Sequence, residues 1–282
     1  MIAISTITDA YRRLRQQISS FRRLLSVRGF RVRSGYNNPE ITHPNWQLII
    51  VVAISLIGLG FLFADDAAGH WKSTVSPEIY HFFRALTSLG KSEILLIPAA
   101  LAILCLGLFP WQSLPKGAQA ILCQFQMLGL YVVLAIAGSG LTNNLIKMTI
   151  GRARPRHFEQ LGAFHFEPPG FSSGFQSFPS GHSTTAGAMA IVFILLFPKF
   201  KWTWLAIAAW IAGSRVIVGA HYPSDSVAGF VYGASFAWLL AVWFANRRLL
   251  FRAQGGLIRI PKNGGLSLTG LYKALHMLRQ KA

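Results

Sequence analysis

Six apolar runs, at residues 47–64, 94–111, 118–141, 180–197, 202–218 and 226–245, divide this sequence. Each is close to the roughly 20 residues that a helix needs to cross the hydrocarbon core of a bilayer. Backbone amides in lipid must be satisfied within their own segment, so runs of this length and apolarity fold as helices and not as open strands. The expectation is an all-α fold, a polytopic bundle of six transmembrane helices. Composition agrees: 52% of the 282 residues are hydrophobic and only 13% are charged, too few to keep the surface of a soluble protein of this size wet. An even number of crossings puts both termini on one side of the membrane, and their arginines choose the cytoplasmic side.

The net charge of +18 raises the question of nucleic acid, but its distribution answers against it. Residues 1–45 carry eight arginines against Asp9 and Glu40, and residues 246–282 carry eight lysines and arginines and no acid. Basic ends around an apolar body point to anionic lipid headgroups as partners. No basic motif interleaved with aromatics, of the kind nucleic-acid modules use, is present. The chain divides accordingly into a basic amphipathic cytoplasmic segment (1–45), a six-helix membrane domain (46–246) and a basic cytoplasmic tail (247–282). Ile7, Tyr11, Leu14, Ile18, Phe21 and Leu25 repeat at helical spacing, with arginines on the other faces. The arginine content favours a helix lying in the membrane interface; a coiled-coil seam or an organellar transit peptide would share the spacing. Leu268, Leu271, Leu275 and Leu278 predict a second interfacial helix. Cys105 and Cys123, both within apolar runs, read as small buried hydrophobes.

Three polar clusters interrupt this pattern: Lys147 with Arg154 and Pro155, then Pro179-Ser180-Gly181-His182, then Ser214-Arg215 with His221 and Asp225. Charged groups near membrane depth mark function before they mark anything else. In the six-crossing topology the third helix ends before Lys147, the fourth starts at His182, the fifth ends at Arg215 and the sixth starts after Asp225. All three clusters then share the non-cytoplasmic face. Residues 65–93, with Asp65, Asp66 and Glu78, form the other external segment, and Arg152 and Arg156 add to a cationic excess that the positive-inside tendency opposes. Phe158 to Phe178, rich in Gly, Pro and Phe, reads as a loop resting on the outer leaflet; a disordered connector is the other reading. Gly229 and Gly233 form a GxxxG pair suited to close helix packing.

The clusters have the chemistry of a phosphate site. Ser180 and Gly181 precede an apolar helix, so backbone N–H groups and the helix dipole can face an oxyanion. Lys147, Arg154 and Arg215 add three cations, and guanidinium forks match phosphate oxygens in pairs. His221 and Asp225 are four residues apart, close enough for the carboxylate to hold one ring nitrogen and leave the other as a nucleophile. His182, beside the same anion, is suited to protonating a leaving alkoxide. Near them no metal-ligand spacing occurs, and no cofactor is called for. Phosphoryl transfer through a phosphohistidine follows from these groups. Taken singly, each residue has a plainer use, His182 as a hydrogen-bonded core histidine, Arg154 as a headgroup anchor, Asp225 as a helix cap.

The spacing Lys-x6-Arg-Pro, Pro-Ser-Gly-His and Ser-Arg-x5-His-x3-Asp resembles the signature of the type 2 phosphatidic acid phosphatase superfamily, without departures. The resemblance implies His221 as nucleophile, Asp225 as its partner, His182 as general acid, and Lys147, Arg154, Ser180, Gly181 and Arg215 as phosphate-binding residues. It further implies a membrane lipid phosphatase, with phosphatidylglycerol phosphate, phosphatidate, undecaprenyl diphosphate and lipid A phosphates as candidate substrates. The expected setting is a bacterial inner membrane with the site facing the periplasm. A lipid-to-lipid phosphotransferase would use the same site, and a non-catalytic lipid-binding or transport protein would need its cations but not its histidines. Soluble vanadate-dependent haloperoxidases share the pattern but not the apolar runs.

Overall fold

The structure, a computed structural model, describes residues 11, 12, 15, 41–71, 74–108, 114–261 and 266–281. Of the helix expected over Ile7 to Leu25, only Tyr11, Arg12 and Arg15 are among these residues, and they are helical; the rest of it, like most of the basic segment 1–45, lies outside them. Each of the six apolar runs contains a helix. The first, α1 (Trp46–Leu59), begins where the Asn45 side chain accepts the Leu48 amide at 3.1 Å, which satisfies one of the orphan donors of a helix start. It passes through one π turn at Gly60–Ala64 into α2 (Asp65–Trp71). Helix α3 (Pro77–Ser88) starts with Ser76 as N-cap and proline in its first turn, and α4 (Glu93–Leu108) follows. The long α5 (Lys116–Ile150) leads to an irregular stretch that holds one turn of helix, α6 (Phe158–Leu161). Helices α7 (Gly181–Leu196), α8 (Lys201–Ile217) and α9 (Pro223–Asn246) complete the apolar set.

Among the described residues, four segments are long and apolar enough to cross a membrane: Trp46–Trp71, Pro77–Gly107, Lys116–Ile150 and Pro223–Asn246. Helices α7 and α8, of 16 and 17 residues, are shorter. Val51, Ile54 and Phe63 on the first segment are 60%, 65% and 72% exposed. A continuous apolar outer surface of this kind has no place in water, and the chain is a membrane protein.

The chain forms two compact units. One gathers residues up to Thr42, Ile97–Val133 and Leu240–Ala282. Its core contains Leu106, Leu114, Leu122 and Ala274, with Leu271 packed against them, and Tyr131 meets Phe251 edge-on at 4.9 Å. After α9 the chain makes a two-stranded antiparallel hairpin, β1 (Arg252–Gln254) and β2 (Leu257–Arg259), so the fold is mostly helical but not purely α. Helix α10 (Leu268–Lys281) forms where the leucine spacing predicts a helix. Its Leu271 and Ala274 face protein, while Leu268 and Tyr272 are exposed. Cys105 is exposed on α4, against the expectation of burial, on the same apolar outer surface as Leu101 and Leu104.

The other unit, His43–Leu96 with Leu134–Leu239, holds all three polar clusters. Helices α7 and α8 form an antiparallel pair around Ala186, Ala190, Ala208 and Ile211, and Phe193 stacks on Trp204 at 4.8 Å. Helix α9 lies against α7 with almost no gap. A Cβ at Gly229 or Gly233 would overlap the carbonyl oxygens of Ser180 or Thr184, and one at Gly187 would overlap that of Phe230. The GxxxG pair is thus a close-packing face.

Two expectations are corrected here. Helix α5 does not end before Lys147 but runs to Ile150. The polar residues that suggested an end are satisfied within the fold: Thr142 donates to Gly138 O at 2.7 Å, and buried Asn143 accepts from Thr184 Oγ1 at 3.0 Å. The first apolar helix does not stop at residue 64 but runs on through α2 to Trp71, and Asp65, which opens α2, is fully buried in an ion pair with Arg152.

Candidate functional site

Lys147 lies in the last turn of α5 and is 7% exposed. Its Nζ would stand 3.3 Å from a Cβ at Gly181, so glycine at the head of α7 lets the ammonium approach the helix start. Ser180 caps that helix, its Oγ accepting the Ser183 amide at 3.4 Å. The backbone N–H of Ser180 donates to Asp225 O at 2.9 Å, which ties the second cluster to the third.

The third cluster is shaped by a turn. At the end of α8, Gly219 takes φ 62, a left-handed conformation that glycine adopts without strain. The Ala220 and His221 amides then fold back to Arg215 O, at 3.0 and 3.3 Å. Arg215 Nη1 donates to Thr87 Oγ1 of α3 at 2.9 Å. In the first turn of α9, Asp225 Oδ2 accepts the Tyr222 amide at 2.9 Å, one half of a capping box. The plain reading of Asp225 as a helix cap therefore holds, alongside its contacts with the site.

His221 is 2% exposed. Its Nδ1 meets Ser177 O at 2.8 Å and Asp225 Oδ2 at 3.7 Å. A carbonyl oxygen only accepts, so Nδ1 carries the proton and Nε2 keeps its lone pair. Burial pushes the His221 pKa down to about 3, against the opposing pull of Asp225, and the ring is neutral at ordinary pH. The sequence pointed to Asp225 as the group holding the ring; the nearer acceptor is the Ser177 carbonyl, and Asp225 accepts the Ser177 hydroxyl at 2.6 Å.

Ser177 belongs to the Phe-rich stretch, which is neither a free loop nor a connector. Ala153 N donates to His165 O, Arg154 N to Gly174 O, Glu167 N to Gly151 O and Ser177 N to Arg152 O, all between 2.8 and 3.0 Å. These bonds fold it back over residues 151–154 and hold Arg154 in place. Burial, and next the charge of Arg156, push the Arg154 pKa down. Arg154 Nε and Arg215 Nε are both buried with no hydrogen-bond partner in the protein. An unsatisfied donor on a buried cation is costly, and an anion between these side chains would satisfy it. Among the described residues no group of three or more His, Cys, Asp or Glu side chains converges as metal ligands do.

The profile of the PAP2 superfamily matches residues 128–249. Lipid A 1-phosphatase of Rhizobium johnstonii is 39% identical over 78% of this chain and 88% of its own length. The chain belongs to the PAP2 superfamily. Among other relatives, lipid A 4'-phosphatase of Bacteroides thetaiotaomicron is 28% identical over 69% of this chain and 81% of its own. The crystal structure of a transmembrane PAP2 type phosphatidylglycerolphosphate phosphatase from Bacillus subtilis matches with a TM-score of 0.48 and 23% identity, over 70% of this chain and 92% of that one.

In this PAP2 chain a cavity of about 710 Å³ opens beside His182, the second residue of α7. Lys91, Glu93 and Asn144 supply polar groups to its wall, and Ile94, Ile136 and Leu141 supply apolar ones. Sequence reasoning did not single out three residues of the site. Asp65 and Arg152 carried a signal, a carboxylate ending an apolar run and a cation on the wrong side of the membrane. Ser177 carried none, since its contribution to His221 is a backbone carbonyl.

Proposed function

We propose that this chain is a membrane phosphatase that removes phosphate from a lipid A type glycolipid, with His221 as nucleophile. The observation that carries this reading is the setting of His221. Its Nδ1 is committed to Ser177 O and its Nε2 is left basic, in a cluster with Asp225 and next to cations that have unused donors. Nε2 attacks phosphorus, the bond to the lipid oxygen breaks, and His182 gives its proton to the leaving oxygen. Lys147, Arg154, Arg215, the Ser180 hydroxyl and the Gly181 amide stabilise the equatorial oxygens, the Ser180 amide being committed to Asp225 O. Water then gives a proton back to His182 and attacks the phosphohistidine, and inorganic phosphate leaves. The cations take the charge-neutralising part that a metal plays elsewhere, and activity in the presence of EDTA is expected.

The cavity at His182 fits the leaving alcohol, and its polar wall suits a sugar headgroup. The 39% identity to a lipid A 1-phosphatase supports the 1-phosphate as the bond broken. At 1.5 Å per residue, α7 and α8 span about 24–26 Å, close to the roughly 30 Å of a hydrocarbon core. We read them as the fourth and fifth of six crossings in domain 46–246. Both termini then lie in the cytoplasm of a bacterial inner membrane, the site faces the periplasm, and the basic ends rest on anionic headgroups.

Purified protein should release phosphate from lipid A in preference to phosphatidate, phosphatidylglycerol phosphate and undecaprenyl diphosphate, and His221→Ala should lower that rate by about 10³-fold or more. Full phosphate release by His221→Ala would overturn the mechanism. Label from the donor appearing in a second lipid, and not in free phosphate, would replace hydrolysis with transfer.

A further inference from the structure

Arg152 has no part in the steps above, yet it heads the large side chains that are fully buried. Its guanidinium is saturated. Nε and Nη2 donate to Ala163 O at 3.2 and 2.8 Å, and Nη2 also to Asp65 Oδ2 at 2.7 Å. Nη1 donates to Ser224 Oγ at 2.7 Å and to Asp225 Oδ1 at 2.6 Å. The Tyr222 ring lies over it at 4.4 Å and the Phe61 ring at 5.0 Å. In contrast to Arg154 and Arg215, Arg152 has nothing left to offer a phosphate.

What it does is join two carboxylates. Asp65 and Asp225 are both fully buried, and each shares an ion pair with the one guanidinium. Asp65 also accepts from the Ser224 amide at 3.0 Å and the Ser224 hydroxyl at 2.5 Å. Ion pairs buried this deeply seldom stabilise a fold more than apolar residues of the same size would. Their value here lies in the charge they leave behind. Arg152 and Asp225 alone would form a neutral pair, and Asp225 would have little field to spare for the histidine beside it. With Asp65 present, one guanidinium stands between two carboxylates and the cluster keeps one negative charge.

That charge has a use in the reaction proposed above, on which this inference rests. When His221 Nε2 bonds to phosphorus and the lipid oxygen departs, Nδ1 retains its proton and the ring becomes cationic. The nearest carboxylate oxygen is Asp225 Oδ2, 3.7 Å from Nδ1. We propose that Asp65, acting through Arg152 and Ser224, is a positioning and charge-setting residue for the nucleophile: it orients Asp225 and keeps the cluster net negative, so that the cation forming on His221 is stabilised.

Asp65→Asn tests this in the full chain purified in detergent. Asparagine keeps one oxygen for the Ser224 amide, removes the charge, and replaces the oxygen that accepts from Arg152 Nη2 and the Ser224 hydroxyl with an NH2 group. The expected result is a kcat lowered by on the order of tenfold to a hundredfold, from the loss of one charge within a poorly screened cluster. KM should stay within about threefold, because Asp65 touches no phosphate ligand. Inhibition by orthovanadate, which takes Nε2 as phosphorus does, should weaken in parallel. The melting temperature should fall, since the buried guanidinium loses one of its two carboxylate partners, and kcat, KM and inhibition are therefore read at a temperature where the variant is folded. A folded Asp65→Asn protein with wild-type kcat overturns the inference, and so does a kcat loss that leaves vanadate inhibition unaltered. If Asp65→Asn does not fold, Ser224→Ala decides, since it removes the shared hydroxyl and leaves every charge: lowered kcat with unchanged KM supports the inference, and wild-type kcat overturns it. His221→Ala, run alongside, separates the two levels. If it remains active, the mechanism fails; if it is dead while Asp65→Asn is fully active, only the role of Asp65 fails.

Discussion

His221 is a buried base with a pKa near 3, and that value has a direction that experiment can read. The folded ring takes up a proton less readily than the unfolded chain, whose histidines titrate near 6.5. Its contribution to stability is therefore full above about pH 6.5 and falls as pH drops toward 3. Thermal unfolding of the wild type should shift to lower temperature between pH 7 and 4 by more than that of His221→Gln, which has no such proton to gain. Equal shifts would show that the ring is not buried in neutral form. The same residue shows how far a sequence carries. Three motifs with fixed spacing pointed to the proposed nucleophile and most of its neighbours, because most of those groups would act through side chains. The bond that selects the tautomer of His221 comes from a peptide carbonyl at Ser177, and a carbonyl leaves no mark in the residue letters. Asp65 was visible as an oddly placed acid, but its partner is 87 residues away, beyond any local pattern.

Among the elements, α7 and α9 set the site, since one starts with Ser180 and Gly181 and the other with Asp225. Their contact depends on glycines without a side chain at the point of closest approach. Gly233→Val places two methyl groups where the Thr184 carbonyl stands, and such overpacking costs about 1–3 kcal/mol or more. A drop of several degrees in melting temperature is expected, together with loss of activity as the two helix starts separate. Gly58→Ala, on α1 with nothing within 4 Å of its Cβ, serves as control and should leave the melting temperature unchanged or raise it. The helices themselves were legible as apolar runs. The far end of α5 was not, because Thr142 and Asn143 look like a helix end until the partners that satisfy them are known.

For the whole molecule the open question is orientation. With Cys105 and Cys123 replaced, a cysteine introduced at Glu167 should react with a membrane-impermeant maleimide in spheroplasts, while one at Ala282 should react only after permeabilisation. The opposite pattern would invert the topology and turn the site toward the cytoplasm. The chain's basic ends supply most of its charge and set the expected answer, yet they lie far from the catalytic residues in sequence.

The stretch from Gly151 to Ser177 binds itself through backbone groups and ends on the histidine. The exposed Phe171 can vary without touching those bonds, whereas a deletion of one residue would shift the carbonyl away from the imidazole. Away from Arg152, Arg154 and the close-packed Gly151, Gly170 and Gly174, such a segment admits a change of letter more readily than a change of length, so relatives with other lipid preferences should differ here by substitution and seldom by insertion or deletion.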